Sequence, residues 1–506
     1  MKKIMTRLLS LVLLGTFIPS FVLAADWDLD KGSITVSATV ENQTVSQAGG
    51  SPTVDSNPVI TSSSGTTNNT VTITAEKNAT ANVTLENVNI DTGKIGGAAI
   101  TTSGEGNVNI ELDGTNTVQS GNTHAGVEKK DNGTLTITDE NKDGSLTATG
   151  GNYGAGIGGG AGGSGSNITI EGGKVKAIGG SHGAGIGGGF GGSGSNIAIE
   201  GGKVEASSVG GGAGIGGGSL GSGSNIAVSG GEVTAQGGVG GAGIGGGQGG
   251  SGSNITISDG KVTATGAGAG AGIGGGYEGS GKGITIEGGE VTAQGDTGGA
   301  GIGGGISGTG SDVTISGDAQ VKVQGGTTGR DWHKGAAIGN GGTPTTEGNE
   351  VSPNTSDLTV DGFIQIYEPG KNINTDTPDR TIEGQKGDHS WNAGEVTAET
   401  VPESKAAAYW VCDPEGQSIP YQAQQKDGVL TVTVQADTAS LRGTTGSLGQ
   451  LEAQGIAEIR FVTKGAQSAF TLADLLASGT GSFTLTHEAE TVTFTLAEKD
   501  ISGILK

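Results

Sequence analysis

A seven-residue segment, Gly-Ala-Gly-Ile-Gly-Gly-Gly, returns along this chain with its isoleucine at Ile157, Ile186, Ile215, Ile244, Ile273 and Ile302, always 29 residues apart. A fixed period of this length belongs to solenoids, in which one unit cannot bury its apolar face alone and neighbouring units stack to bury it together. The period also decides how 107 glycines among 506 residues are to be read. Scattered, that share would describe a low-complexity chain, but here glycine is strictly placed.

Within the period that starts at Ile157, apolar residues alternate at Ile168 and Ile170 and again at Val175 and Ala177. Alternation of this kind marks short strands with one buried face. The same offsets return as Ile197, Ile199, Val204 and Ala206, and so on through Ile284, Ile286, Val291 and Ala293. Too few residues separate the strands for a helix, so the expected fold is all-β: a parallel β-helix with 29-residue coils of three short strands each. Stacked coils place each strand about 4.8 Å from its copy. Gly172-Gly173 and their copies take the sharp corner between two strands, where positive φ or a lack of space favours glycine. Files of serine (Ser164, Ser193, Ser222) and asparagine (Asn167, Asn196, Asn225, Asn254) follow the turns and read as coil-to-coil hydrogen-bonding architecture.

The array runs past its clean copies. Val127 and Ile100 precede Ile157, Ile338 follows Ile302, and Leu358-Thr359-Val360 with Phe363 to Ile366 reads as one more turn after a lengthened loop. The expected organisation is a signal peptide at 1–24, N-terminal strands and cap at 25–99, glycine-rich coils at 100–368, a linker at 369–395 and a small antiparallel β-rich domain at 396–506. A short helix is expected around Ala469 to Ala477 within the last.

Lys2, Lys3 and Arg7, then an apolar run to Leu23, then Ala24-Ala25 have the order of a secretory signal, and the run is shorter than the ~20 residues of a spanning helix. The expectation is a secreted or extracellular protein, held at a cell surface non-covalently if at all, with no membrane insertion. Cys412 is the single cysteine, so no intramolecular disulfide forms. A net charge of −24 repels nucleic acid and anionic lipid, leaving neutral polysaccharide, cations and other proteins as partners.

Three places carry candidate ligand chemistry. The insertion Arg330-Asp331-Trp332-His333-Lys334 sets an indole among charges of both signs, and an aromatic face beside hydrogen-bonding groups suits a pyranose ring. A cap loop folding Trp332 over the last coil is the alternative. Tyr153, Phe190 and Tyr277, with His182, interrupt the glycine loops around the isoleucine file, where stacking brings them to one side as a groove or as a simple ladder. Asp139, Asn141 and Asp143 have the alternating oxygens of a calcium loop, but the twelfth position is Gly150 and not glutamate, so a self-capping Asx turn competes with calcium as the explanation. No convergent pair of carboxylates appears, and no enzyme is read from the chain.

The strand pair Ile170-Glu171-Gly172-Gly173-Lys174-Val175 with the loop Gly154 to Gly160 resembles secreted carbohydrate-binding β-helix proteins of anaerobic bacteria, which are similar in fold to pectate lyases. The resemblance spans roughly residues 100 to 340 and implies a right-handed parallel β-helix of the glycine-rich repeat type. Those relatives often carry an aspartate in the loop before the isoleucine, where this chain has alanine or glycine. The implied function is a non-catalytic polysaccharide-binding or adhesive cell-surface scaffold, with a cell-surface glycan or a protein receptor as partner. The alternatives are a structural spacer or protein-binding adhesin and, third, a divergent polysaccharide lyase.

Overall fold

The computed structural model describes residues 26–130, 132–327, 333–343, 346, 349, 358–360, 362–383, 409–412, 421–426, 428–445, 451, 455–479, 482–488, 491–496 and 499–505. The signal-like segment at 1–24 lies outside them.

The period predicted above is realised as three sheets of 12, 11 and 13 strands, parallel throughout the stacked coils and wound around one apolar interior. Each clean coil contributes a two-residue strand such as Ile186–Gly187, then Gly194–Ile199, then Lys203–Ser208. Register is fixed by the repeat: Ile157 lies beside Ile186, Ile168 beside Ile197, and Val175 beside Val204. These inward residues are at most 1% exposed. At roughly 1.5–3 kcal/mol for each fully buried large apolar side chain, the isoleucine and valine ladders supply most of what opposes the ordering entropy of so much glycine.

The glycine after each isoleucine is a packing requirement as well as a turn. Gly158 has φ +133°, and a Cβ there would stand 2.1 Å from the carbonyl oxygen of Gly187 in the next coil. Asn167 (φ +56°) drops out of the ladder between Ser166 and Ile168, which pair with Ser195 and Ile197. Freed from pairing, the asparagines bond along the axis: Asn196 Nδ2 donates to Asn167 Oδ1 at 2.9 Å, Asn225 to Asn196 at 3.1 Å and Asn254 to Asn225 at 3.2 Å. The serine file does the same through backbone N–H groups, as in Ser222 N to Ser193 Oγ at 3.4 Å.

At each end of the stack one of the three sheets finishes in antiparallel strands, which cover its parallel edge. At the start, Gln43–Gln47 folds back on Ile34–Ala38, which itself lies parallel to Val71–Ala75. Trp27 packs against this end of the core and its indole N–H donates to Asp55 Oδ2 at 2.9 Å. The final turn forms as expected, with Leu358–Val360 beside Val313–Ile315 and Phe363–Tyr367 beside Gln320–Gln324. Arg380–Glu383, in the stretch expected as linker, then returns antiparallel onto Phe363–Tyr367.

The C-terminal region has its own core between a five-stranded and a four-stranded sheet. Most pairings are antiparallel, but Val429–Val434 runs parallel to Glu458–Val462. The chain leaves for the other sheet as Ala439–Thr444 between these two strands, so it returns in the original direction. The helix expected around 469–477 is shorter, Leu472–Ala477, because Gln467–Thr471 is the strand that pairs with Glu458–Val462 and Thr471 caps the helix by accepting from Asp474 N at 3.0 Å. No helix among the described residues is long and apolar enough to cross a membrane.

Candidate functional site

The two-residue strand centred on each Ile-Gly is so short that the loops on either side of it meet. Backbone bonds join them with a one-coil offset: Phe190 N donates to Tyr153 O at 2.9 Å, Ser219 N to His182 O at 2.8 Å, Gln248 N to Gly211 O at 2.7 Å and Tyr277 N to Gly240 O at 2.7 Å. Two files therefore run side by side along this edge of the β-helix. One is Tyr153, His182, Gly211, Gly240; the other is Phe190, Ser219, Gln248, Tyr277.

At the N-terminal end of these files three rings come together. Tyr153 and His182 stack with centroids 5.1 Å apart and planes 11° from parallel. Phe190 meets both edge-on, at 5.7 Å from Tyr153 and 5.2 Å from His182. The tyrosine and histidine stack as a ladder, and Phe190, 37% exposed, adds a third ring at an angle to them. Tyr277 does not join the three-ring cluster, because its offset places it three coils from Phe190, roughly 14 Å at about 4.8 Å per coil. Its hydroxyl hydrogen-bonds the Glu278 carboxylate, which raises its pKa.

The coil just before the rings carries a charged cluster built on Glu128. Val127-Glu128 occupies the place of Ile157-Gly158. Glu128 is only 3% exposed; its Oε2 accepts from Ala125 N at 3.1 Å and lies 2.6 Å from His124 Nδ1, and its Oε1 lies 2.8 Å from Lys130 Nζ. A Cβ at Gly160 would approach Glu128 Oε2 to 3.0 Å and Thr123 O to 2.8 Å, so the carboxylate sits directly under the next coil's glycine loop. Burial of one carboxylate is tolerated here because a backbone donor and two side-chain nitrogens satisfy it. The signal was present in the sequence as Glu128-Lys129-Lys130 standing where later coils have three glycines.

The other predicted residues are placed differently. Arg330, Asp331 and Trp332 lie outside the described residues. His333 uses its backbone N–H on Thr343 O at 3.1 Å, and Lys334 pairs with Glu368 at 3.1 Å, tying this loop to the C-terminal end of the stack. In the candidate calcium loop, Asp139 Oδ1 accepts from Asp143 N at 3.2 Å and Gly144 N at 3.1 Å around Lys142 at φ +60°, a self-capping turn. Asn141 and Asp143 are exposed. Among the described residues no three histidine, cysteine, aspartate or glutamate side chains converge as a metal site.

Among the described residues one serine and histidine pair stands within hydrogen-bond reach, in the C-terminal region. His487 Nε2 is 3.0 Å from Ser468 Oγ and its Nδ1 is 3.1 Å from Thr463 Oγ1. All three are at most 6% exposed. The arrangement clamps the two sheets through a satisfied polar group.

A family model described as a beta helix repeat matches residues 142–161, 168–190, 197–219, 226–248, 255–277 and 284–306. No curated protein and no solved structure matches the chain. The matched repeats and the stacked sheets together make this a parallel β-helix protein.

Proposed function

We propose that this parallel β-helix protein is a secreted, non-catalytic scaffold that binds polysaccharide through the loop edge bearing Tyr153, His182 and Phe190. The observation that carries the reading is the cluster of three rings, partly exposed, set among glycine-rich loops. An aromatic face gives apolar contact to the C–H side of a pyranose, and neighbouring polar groups bond its hydroxyls. His124 and Lys130, held at the buried Glu128, supply fixed donors one coil away from Tyr153. The net charge of −24 favours a neutral polymer over an acidic one.

The test is retention of the protein lacking residues 1–24 on insoluble cellulose, chitin, pectin and peptidoglycan, with and without a calcium chelator. Retention on one polymer, lost in Phe190→Ala and kept after chelation, supports the reading. Loss in Trp332→Ala alone moves the site to the Arg330–Lys334 insertion. Retention on none leaves a protein receptor or a spacer role as the better account.

A further inference from the structure

We infer that the loop edge docks a second copy of this chain about a two-fold axis, with Leu220 as the central contact. This goes beyond the polysaccharide reading and does not rest on it. Phe190, Val209, Leu220 and Val239 are large apolar side chains left 37, 67, 65 and 66% exposed. All four stand in the loops beside Ile186, Ile215 and Ile244, in three successive coils. A single exposed apolar residue needs no explanation, but several gathered on one edge mark an interaction site.

Leu220 is held out against the preference of its own turn. The equivalent place in six successive coils has φ between +58° and +79°, and its other occupants are Gly162, Gly191, Gly249, Glu278 and Ser307. Glycine or a polar residue suits such a turn, and a bulky leucine at φ +68° does not. The coil gains little in return, because the side chain leans over Gly249, whose Cβ would lie 3.3 Å from Leu220 Cδ2, and stays two-thirds exposed. Strain kept where the fold does not need it points to a use outside the fold.

Charge identifies the occupant. A chain at −24 repels its own copies wherever their carboxylates face one another. Residues 150–164, 179–193, 207–222 and 236–251, which form this edge in four successive coils, contain no Asp, Glu, Lys or Arg. Two copies therefore meet here without like charges opposed. Shape agrees with charge, since a two-fold contact sets a patch against itself and this patch carries both a projection and a recess. A Cβ at Gly191, one coil before Leu220 in the same file, would find nothing within 4 Å. Each Leu220 enters the gap at Gly191 of the other copy, beside its Phe190. Four coils at about 4.8 Å make a strip about 19 Å tall and two loops wide, short of the ~800 Å² per partner of a standard interface. Association is accordingly weak, with a dissociation constant on the order of 10–100 μM.

The experiment is analytical ultracentrifugation of the protein lacking residues 1–24 from about 5 to 500 μM, a range that brackets the expected constant. A monomer–dimer equilibrium is expected, and it should strengthen as salt is raised, because salt screens the repulsion between two acidic copies. Leu220→Gly should weaken association about a hundredfold or more, since each dimer loses two leucines. Its unfolding midpoint should stay at or above the parent's, because glycine relieves the turn. Gly191→Asn fills the gap with a residue that tolerates positive φ and should weaken association as well. A monomer at the highest concentration, association that falls as salt rises, or association unchanged by either substitution would overturn the inference. Retention on insoluble polymers is measured separately, so the docking surface and the polysaccharide site can each fail without the other.

Discussion

Substitution of Asn225 separates the two things its position asks of a side chain. Its backbone is at φ +52°, a conformation that costs an ordinary L-residue roughly 1–2 kcal/mol and asparagine less. Its Nδ2 donates to Asn196 and its Oδ1 accepts from Asn254, at 3.1 and 3.2 Å. The ladder is solvent-exposed, so each bond belongs near the low end of the usual range, about 0.5 kcal/mol. Asn225→Ala loses both bonds and adds strain, about 2–3 kcal/mol in all. Asn225→Gly loses the bonds, carries no strain and pays about 0.5–1 kcal/mol of extra chain entropy, about 1.5–2 kcal/mol in all. Glycine should therefore be the milder change, the reverse of the usual order inside a strand. The chain contains its own precedent, since Gly283 follows Asn254 in the file at φ +65°. Denaturant unfolding followed by circular dichroism, with hydrogen exchange to locate the affected coils, measures the order. An Asn225→Ala protein as stable as the parent, or more stable than Asn225→Gly, would refute the reasoning.

Three further outcomes are expected. Ile215→Asp puts a charge into a file that is 0% exposed between Ile186 and Ile244 and should remove exchange protection from the coils around it; unchanged protection there would contradict the ladder. Burial lowers the pKa of His487, so the unfolded chain takes up a proton below about 6.5 that the folded domain resists; C-terminal stability is full above that pH and should fall as pH drops through it, and His487→Gln should flatten this slope in fluorescence-monitored unfolding. Burial, with the Asp259 carboxylate adding to it, pushes the Asp318 pKa from 3.8 up to about 6. The folded state therefore favours the proton, a contribution present below about 3.8 and lost as pH rises through about 6, and Asp318→Asn should raise the unfolding midpoint at pH 8 more than at pH 4.

The architecture was legible because a solenoid repeats in space what it repeats in sequence. A difference of 29 residues places Ile157 beside Ile186 and Tyr153 over His182 with no further information. The last turn at Leu358–Val360 could be found behind its long loop because inward alternation survived there. Neighbours across a coil are another matter. That Phe190 touches Tyr153 follows from the path of two loops around a two-residue strand, and no periodicity links residues 37 apart. The Glu128 cluster was written in the chain as a charged interruption of glycine, yet only the folded coil shows that His124 and Lys130 turn back onto that carboxylate. The parallel pair in the C-terminal region was decided by which sheet the intervening strand joins. The sequence by itself determined the period, the buried faces and the stacking partners, since these follow from local alternation and the need of each coil to cover the next. Tertiary structure alone decided the lateral contacts that make the candidate site, because they depend on where loops of different offset converge.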